Sequence, residues 1–240
     1  MLDQFLDASP SFGVDTFLLL LILVSLEAVL SADNAIALAA LAQGLDDQKL
    51  EQQALNLGLV VAFIFRICLI LTARWVTHFW QFQLLGAVYL LWLSLKYFTS
   101  APDDGHTHHG PHFRSLWQAI PLIAITDLAF SLDSVTTAIA VSTELWLILL
   151  GGLIGVITLR CMAGLFIRWL AEFVYLQDAG YYTVALVGLR LLLKVIQPQF
   201  VPPEWLMFSA IALLFLWGFS KHQPPLPEDL NHAPEQQDVH

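Results

Sequence analysis

Two short runs of this chain set carboxylates, hydroxyls and an amide at matched spacing within apolar surroundings. Glu27-Ala-Val-Leu-Ser31-Ala-Asp33-Asn34 is echoed by Asp127-Leu-Ala-Phe-Ser131-Leu-Asp133-Ser134, and both read acid-x-x-apolar-Ser-x-Asp-(Asn or Ser). All the donors are oxygens, a set that suits a hard divalent ion such as Mn²⁺, Mg²⁺ or Ca²⁺. Neither thiolate nor imidazole stands at these positions, which argues against zinc or copper. An acid in mid-membrane costs about 2.5–3.5 kcal/mol on insertion scales, so four of them call for a metal cation or bound protons. Glu27, Asp33, Asn34, Asp127, Asp133 and Ser134 are therefore the candidate metal ligands, with Ser31 and Ser131 as supporting hydroxyls.

Helical periodicity constrains how these donors meet. At about 100° per residue, Glu27, Ser31 and Asn34 share one face within about 60°, whereas Asp33 points roughly 120° away and about 9 Å further along the axis. An unbroken helix cannot aim both acids of one motif at one ion. Either each helix unwinds at its Ser-x-Asp step, or acids pair between motifs, Glu27 with Asp133 and Asp33 with Asp127. A mixture is expected, with discontinuous helices crossing at the motifs.

The elements that carry these runs are membrane spans. Of 240 residues, 58% are hydrophobic and only 12% charged, against roughly 45–50% and about 25% in soluble domains. The apolar residues fall into seven blocks: 17–42, 54–73, 79–98, 116–142, 145–167, 181–196 and 205–219. Such lengths match a hydrocarbon slab about 30 Å thick, the last two being short. Trp80, Tyr97, Trp117, Trp146, Tyr181 and Trp205 stand near block ends, where amphipathic rings settle at an interface.

The motif helices open two similar units. Arg66 and Lys96 in blocks two and three are spaced like Arg160 and Arg190 in blocks five and six. Three spans per unit force the second copy to enter from the opposite side. The expected fold is an all-α membrane protein of seven helices: an inverted 3+3 repeat, residues 14–98 and 116–196, plus a C-terminal helix at 205–219. One transporter domain would occupy 1–220, followed by a disordered acidic, Pro-rich tail at 221–240. Lys49, Lys96, Arg114, Arg168 and Lys221 on one side outnumber Arg74, Arg190 and Lys194 on the other, which predicts an outside N-terminus and a cytoplasmic C-terminus.

The remaining features sort by charge and type. Four carboxylates against Arg66 and Arg160 leave a net of −2, the charge one divalent cation neutralises, so both arginines are expected around the ligands. Lys96 and Arg190, nearer span ends, read as interfacial anchors. His106, His108, His109 and His112 lie with Asp103 and Asp104 in one loop, a tract able to collect metal or simply to stay solvated. Gly151, Gly152 and Gly155 form a close-packing face, and Cys68 and Cys161 read as buried apolar fillers rather than a disulfide or redox pair. The formal charge of −10 and the lack of a basic patch exclude nucleic acid as a partner. No Lys or Arg precedes the first block, so no cleavable signal peptide is expected.

The duplicated acid-x-x-(Leu or Phe)-Ser-x-Asp-(Asn or Ser) motif, with its intervening spans, resembles that of the TerC family of integral membrane proteins. The likeness extends from the first apolar block to the sixth. It implies metal-ion homeostasis, above all efflux of manganese across the cytoplasmic membrane, and supply of metal to exported proteins. Carried over by residue, it implicates Glu27, Asp33, Asn34, Asp127, Asp133 and Ser134.

The expectation is thus a secondary transporter, not an enzyme, that moves Mn²⁺ (with Ca²⁺ or Mg²⁺ as alternatives) out of the cytoplasm in exchange for protons and carries no organic cofactor. Its host is the lipid bilayer of the cytoplasmic membrane, or a thylakoid-type membrane. No nucleotide-binding P-loop is present. Two rivals remain: an intramembrane aspartyl hydrolase with Asp33 and Asp133 as its dyad, for which no Gly-x-Gly-Asp signature exists, and a membrane-protein assembly factor indifferent to the acids.

Overall fold

The computed structural model describes residues 14–45, 47–76, 79–99, 113, 115–142 and 144–222. The loop with His106, His108, His109 and His112, the tail beyond residue 222, and the Asp33 side chain lie outside the described residues. Seven α-helices account for nearly all the described chain. They are α1 (Val14–Ala42), α2 (Gln48–Val76), α3 (Trp80–Thr99), α4 (Leu116–Val141), α5 (Leu145–Glu172), α6 (Leu176–Ile196) and α7 (Glu204–Gly218), with a 3₁₀ turn at Pro198–Phe200 before the last. No strand occurs among the described residues; Phe173 and His222 form an isolated bridge.

Among the described residues, five helices, α2 to α6, are long and apolar enough to cross a membrane. α7 has 15 residues, about 22 Å of helix against a hydrocarbon core of about 30 Å. Pro198, Pro202 and Pro203 precede it, and α6 closes over its end: a Cβ on Gly218 would lie 3.0 Å from Ala179 Cβ.

Both faces of the helices are apolar, as lipid requires. On α3, Leu85, Val88, Trp92 and Leu95 form an exposed stripe, while Gly86, Leu90, Leu93 and Tyr97 are buried on the other side. A soluble helix would carry charge on the first face. The second half of α1 is enclosed instead, buried at every residue from Asn34 to Ala42. Its alanines let neighbouring backbones approach.

α1 packs chiefly on α5, α2 on α4, and α3 on α6; α1 also meets α4 and α6, while α2 meets α5 and α3 meets α4. The α3–α6 pair is pinned by stacked rings of Tyr97 and Tyr181, 3.8 Å apart. The Tyr97 hydroxyl donates to Asp178 Oδ1 at 2.6 Å, and Ser94 Oγ to the Tyr181 carbonyl at 3.0 Å.

The structure departs from the sequence expectation at two points. α1 and α4 run through their motifs as continuous helices, with no unwinding at Ser-x-Asp. Cys68 and Cys161 are exposed rather than buried; a thiol is apolar enough to stand on a lipid face.

Candidate metal and proton site

Because α1 and α4 are unbroken, the acids of α4 leave it on different sides. Asp127 turns toward α1 and α2. Asp133, six residues on, turns toward α6. The described motif donors accordingly fall into two groups.

The first group is the more enclosed. Arg66, on the face of α2 that packs against α4, sends one guanidinium nitrogen to Glu27 of α1 and the other to Asp127 of α4. The Arg66 side chain is 1% exposed and that of Asp127 0%. Arg66 Nη2 lies 3.4 Å from both carboxylate oxygens of Asp127, and Ser131 Oγ donates to Oδ2 at 3.3 Å. These separations exceed the usual 2.7–2.9 Å of charge-assisted bonds, so Asp127 is enclosed yet loosely held. Arg66 Nε and Ser31 Oγ have no hydrogen-bond partner among the described residues. The formal charge of Glu27, Arg66 and Asp127 together is −1.

Room for Glu27 comes from α5. A Cβ on Gly155 would lie 2.1 Å from Glu27 Cγ, and on Gly152 3.7 Å from Arg66 Cδ. The glycine face expected to serve close packing thus leaves the volume that the first motif acid occupies.

The second group is half-open. Asp133 accepts from Arg190 of α6 and, at 2.7 Å, from Lys194 one turn later. Arg190 Nη2 also lies 3.4 Å from Glu204 at the start of α7. Asn34, Asp133, Ser134, Arg190 and Glu204 line one cavity. Glu27, Arg66, Gly151, Gly152 and again Ser134 line a second. Ser134 therefore stands between the two groups, its Oγ 3.3 Å from the Ser131 carbonyl.

Glu27 and Asp127 meet through Arg66, in place of the Glu27–Asp133 pairing read from the sequence. Among the described residues no group of three or more His, Cys, Asp or Glu side chains could hold a metal ion. Arg160 does not join the acids: its Nε donates to Asn56 on α2, and it lines a separate cavity. Arg190 takes the role assigned to Arg160. Its signal was present in the spacing shared by Arg66–Lys96 and Arg160–Arg190, but its place near a span end read as an anchor. Lys194 and Glu204 were also missed, since neither belongs to the duplicated pattern.

Residues 12–223 match the family described as the Integral membrane protein TerC family. The chain is 34% identical over 176 residues to the uncharacterized membrane protein YceF of Bacillus subtilis (strain 168), covering 70% of this chain and 68% of that protein. It is 30% identical over 221 residues to the uncharacterized membrane protein YkoY of the same strain, covering 83% and 67%. A shorter likeness, 30% over 143 residues, covers 52% of this chain and 27% of the inner membrane protein YoaE of Escherichia coli (strain K12). No solved structure matches the chain.

Proposed function

The chain belongs to the TerC family of integral membrane proteins, and from that premise we propose that it is a secondary transporter exporting Mn²⁺ from the cytoplasm in exchange for protons. The observation that carries the reading is the enclosed Glu27–Arg66–Asp127 group, in which one motif acid from each half shares a single guanidinium. Two carboxylates with one arginine retain a negative charge that a low-dielectric interior tolerates poorly. A proton, or a divalent cation, relieves it.

In this reading Arg66 is the resident counter-ion. When a divalent cation reaches Glu27 and Asp127, the guanidinium gives up at least one carboxylate; when the cation leaves, a proton or Arg66 takes its place. Competition of this kind is what exchange requires. Asp133, Asn34 and Ser134 form the second station, where Arg190 and Lys194 play the part of Arg66. Moving a divalent ion out of a negative interior works against about 4.6 kcal/mol per 100 mV, twice the single-charge value, so the energetics favour coupling to proton entry.

The inverted repeat belongs to the same proposal. Exchanging α1 with α4, α2 with α5 and α3 with α6 turns the α1–α5 packing into α4–α2 and α1–α6 into α4–α3. The remaining cross-half pairs, α1–α4, α2–α5 and α3–α6, map onto themselves. Interleaved halves with acids near their shared axis support a site at the midplane. Orientation with an outside N-terminus and residence in the cytoplasmic membrane are proposed with it. Asp133 accepts hydrogen bonds from two cations, Arg190 and Lys194, which favours the transporter reading over the hydrolase.

The deciding experiment is ion flux in proteoliposomes under a pH gradient, comparing Mn²⁺ with Ca²⁺, Mg²⁺ and Zn²⁺. Mn²⁺ flux that depends on the gradient and vanishes in Asp127→Asn is expected. Intact protein that moves no cation would overturn the proposal.

A further inference from the structure

Among the described side chains, Arg66 and Arg190 are matched to carboxylates, whereas Arg160 and Arg168 are not. Arg66 faces Glu27 and Asp127, and Arg190 faces Asp133 and Glu204. Arg160 and Arg168, both on α5, have no carboxylate partner among the described residues, yet both line one cavity of about 330 Å³ with Gln52 of α2. Its lining contains no acid. Two guanidiniums beside an acid-free cavity in a lipid-facing bundle carry an uncompensated charge of +2, and arginine is never deprotonated.

Arg160 is held ready. Its Nε donates to Asn56 Oδ1, which fixes the plane of the guanidinium and leaves both terminal nitrogens without a described acceptor. One helical turn on, Gly164 keeps the approach clear: a Cβ there would lie 2.9 Å from Arg160 Nη1. Arg168 is four residues from the end of α5, and Gln52 four residues into α2. The mouth of the cavity is thus at one end of the bundle, at the level of lipid headgroups, while Arg160 lies about 12 Å deeper along α5.

We propose that Arg160, Arg168 and Gln52 form a binding site for a phosphate group. A planar guanidinium offers paired parallel N–H donors that match phosphate oxygens, and the Gln52 amide adds a neutral donor. A phosphate monoanion or dianion neutralises half or all of the charge on the two arginines. Its source is either the headgroup of an anionic phospholipid, inserted where basic pockets between spans hold such groups, or free phosphate from the adjoining water. The site shares no residue with either acid group, so it stands apart from the transport reading.

The test uses the full chain, purified and stripped of lipid, by native mass spectrometry with added phosphatidylglycerol or phosphatidylcholine, and by thermal unfolding with inorganic phosphate. Tighter binding of phosphatidylglycerol, weakened tenfold or more in Arg160→Gln/Arg168→Gln with phosphatidylcholine unchanged, identifies a lipid phosphate. A stabilisation by inorganic phosphate that the same variant loses, with both lipids unaffected, keeps the phosphate site and assigns it to a soluble anion. Equal binding of all three probes by wild type and variant overturns the proposal. The single exposed variant Arg168→Gln, which retains the Asn56–Arg160 bond, supplies the same comparison if the double variant does not fold; Arg168→Lys should keep part of the affinity.

Discussion

The Glu27–Arg66–Asp127 group and the Asp133–Arg190–Lys194–Glu204 group are built from the same two motifs but enclosed to different degrees. The first joins three helices around one guanidinium, with Arg66 and Asp127 exposed by no more than 1% and Glu27 by 11%. The second opens on a cavity: its central pair is 13–15% exposed, and the Glu204 side chain 55%. The first carries a formal −1, the second none. Removing a charge should therefore cost folding energy in the first group and mainly alter ion handling in the second.

The largest effect belongs to Arg66→Leu. Two carboxylates then remain enclosed without their cation, a loss of about 3–5 kcal/mol by analogy with other broken buried pairs. A large drop in unfolding midpoint in detergent should accompany loss of Mn²⁺ flux, and Glu27→Gln in the same chain should restore part of the stability but none of the transport. Unchanged flux in Arg66→Leu would remove the counter-ion role.

Gly155→Ala comes next. Its Cβ collides with Glu27 Cγ at 2.1 Å, so α5 must shift or Glu27 leave Arg66, an overpacking cost of about 1–3 kcal/mol. Gly151→Ala, whose Cβ would meet Leu23 Cβ at 3.5 Å, should cost little, and equal effects of the two would show that Glu27 does not occupy that space.

Asp133→Asn should lower Mn²⁺ flux severely while costing less stability than Arg66→Leu, because Arg190 keeps Glu204 and Lys194 is partly solvated. Thermal unfolding beside flux measurements separates the two readouts. The smallest effect is expected for Glu204→Gln, within about 0.5 kcal/mol of wild type, as for most exposed pairs. Here the informative quantity is the apparent KM for Mn²⁺, and a shift there with unaltered maximal flux would place Glu204 on the ion's path.

Much of the architecture was legible in the sequence, because hydrocarbon thickness sets block length. The expected helix at 116–142 is observed at Leu116–Val141, and the block at 205–219 as Glu204–Gly218. Polar or interfacial extensions were harder to read: α2 starts at Gln48, six residues before its apolar block, and α6 at Leu176, five before. At the site, the motifs named Glu27, Asp127 and Asp133, and periodicity foretold that acids six residues apart on one helix would diverge. The charge balance singles out Arg66 and Arg160 together, yet only Arg66 meets the acids, and Arg160 faces Asn56.

By itself, then, the sequence determined the helices, their apolar faces and which side chains carry costly charge, since these follow from local period and transfer energy. Only the tertiary structure decided partnership. Whether Arg66 or Arg160 meets the acids depends on how α2 and α5 are rotated against α1 and α4. Small residues at those contacts, such as Gly152 and Gly155 on α5 and the buried alanines of α1, permit the close approach. Coulomb attraction between two side chains acts only where packing has already brought them within a few ångströms.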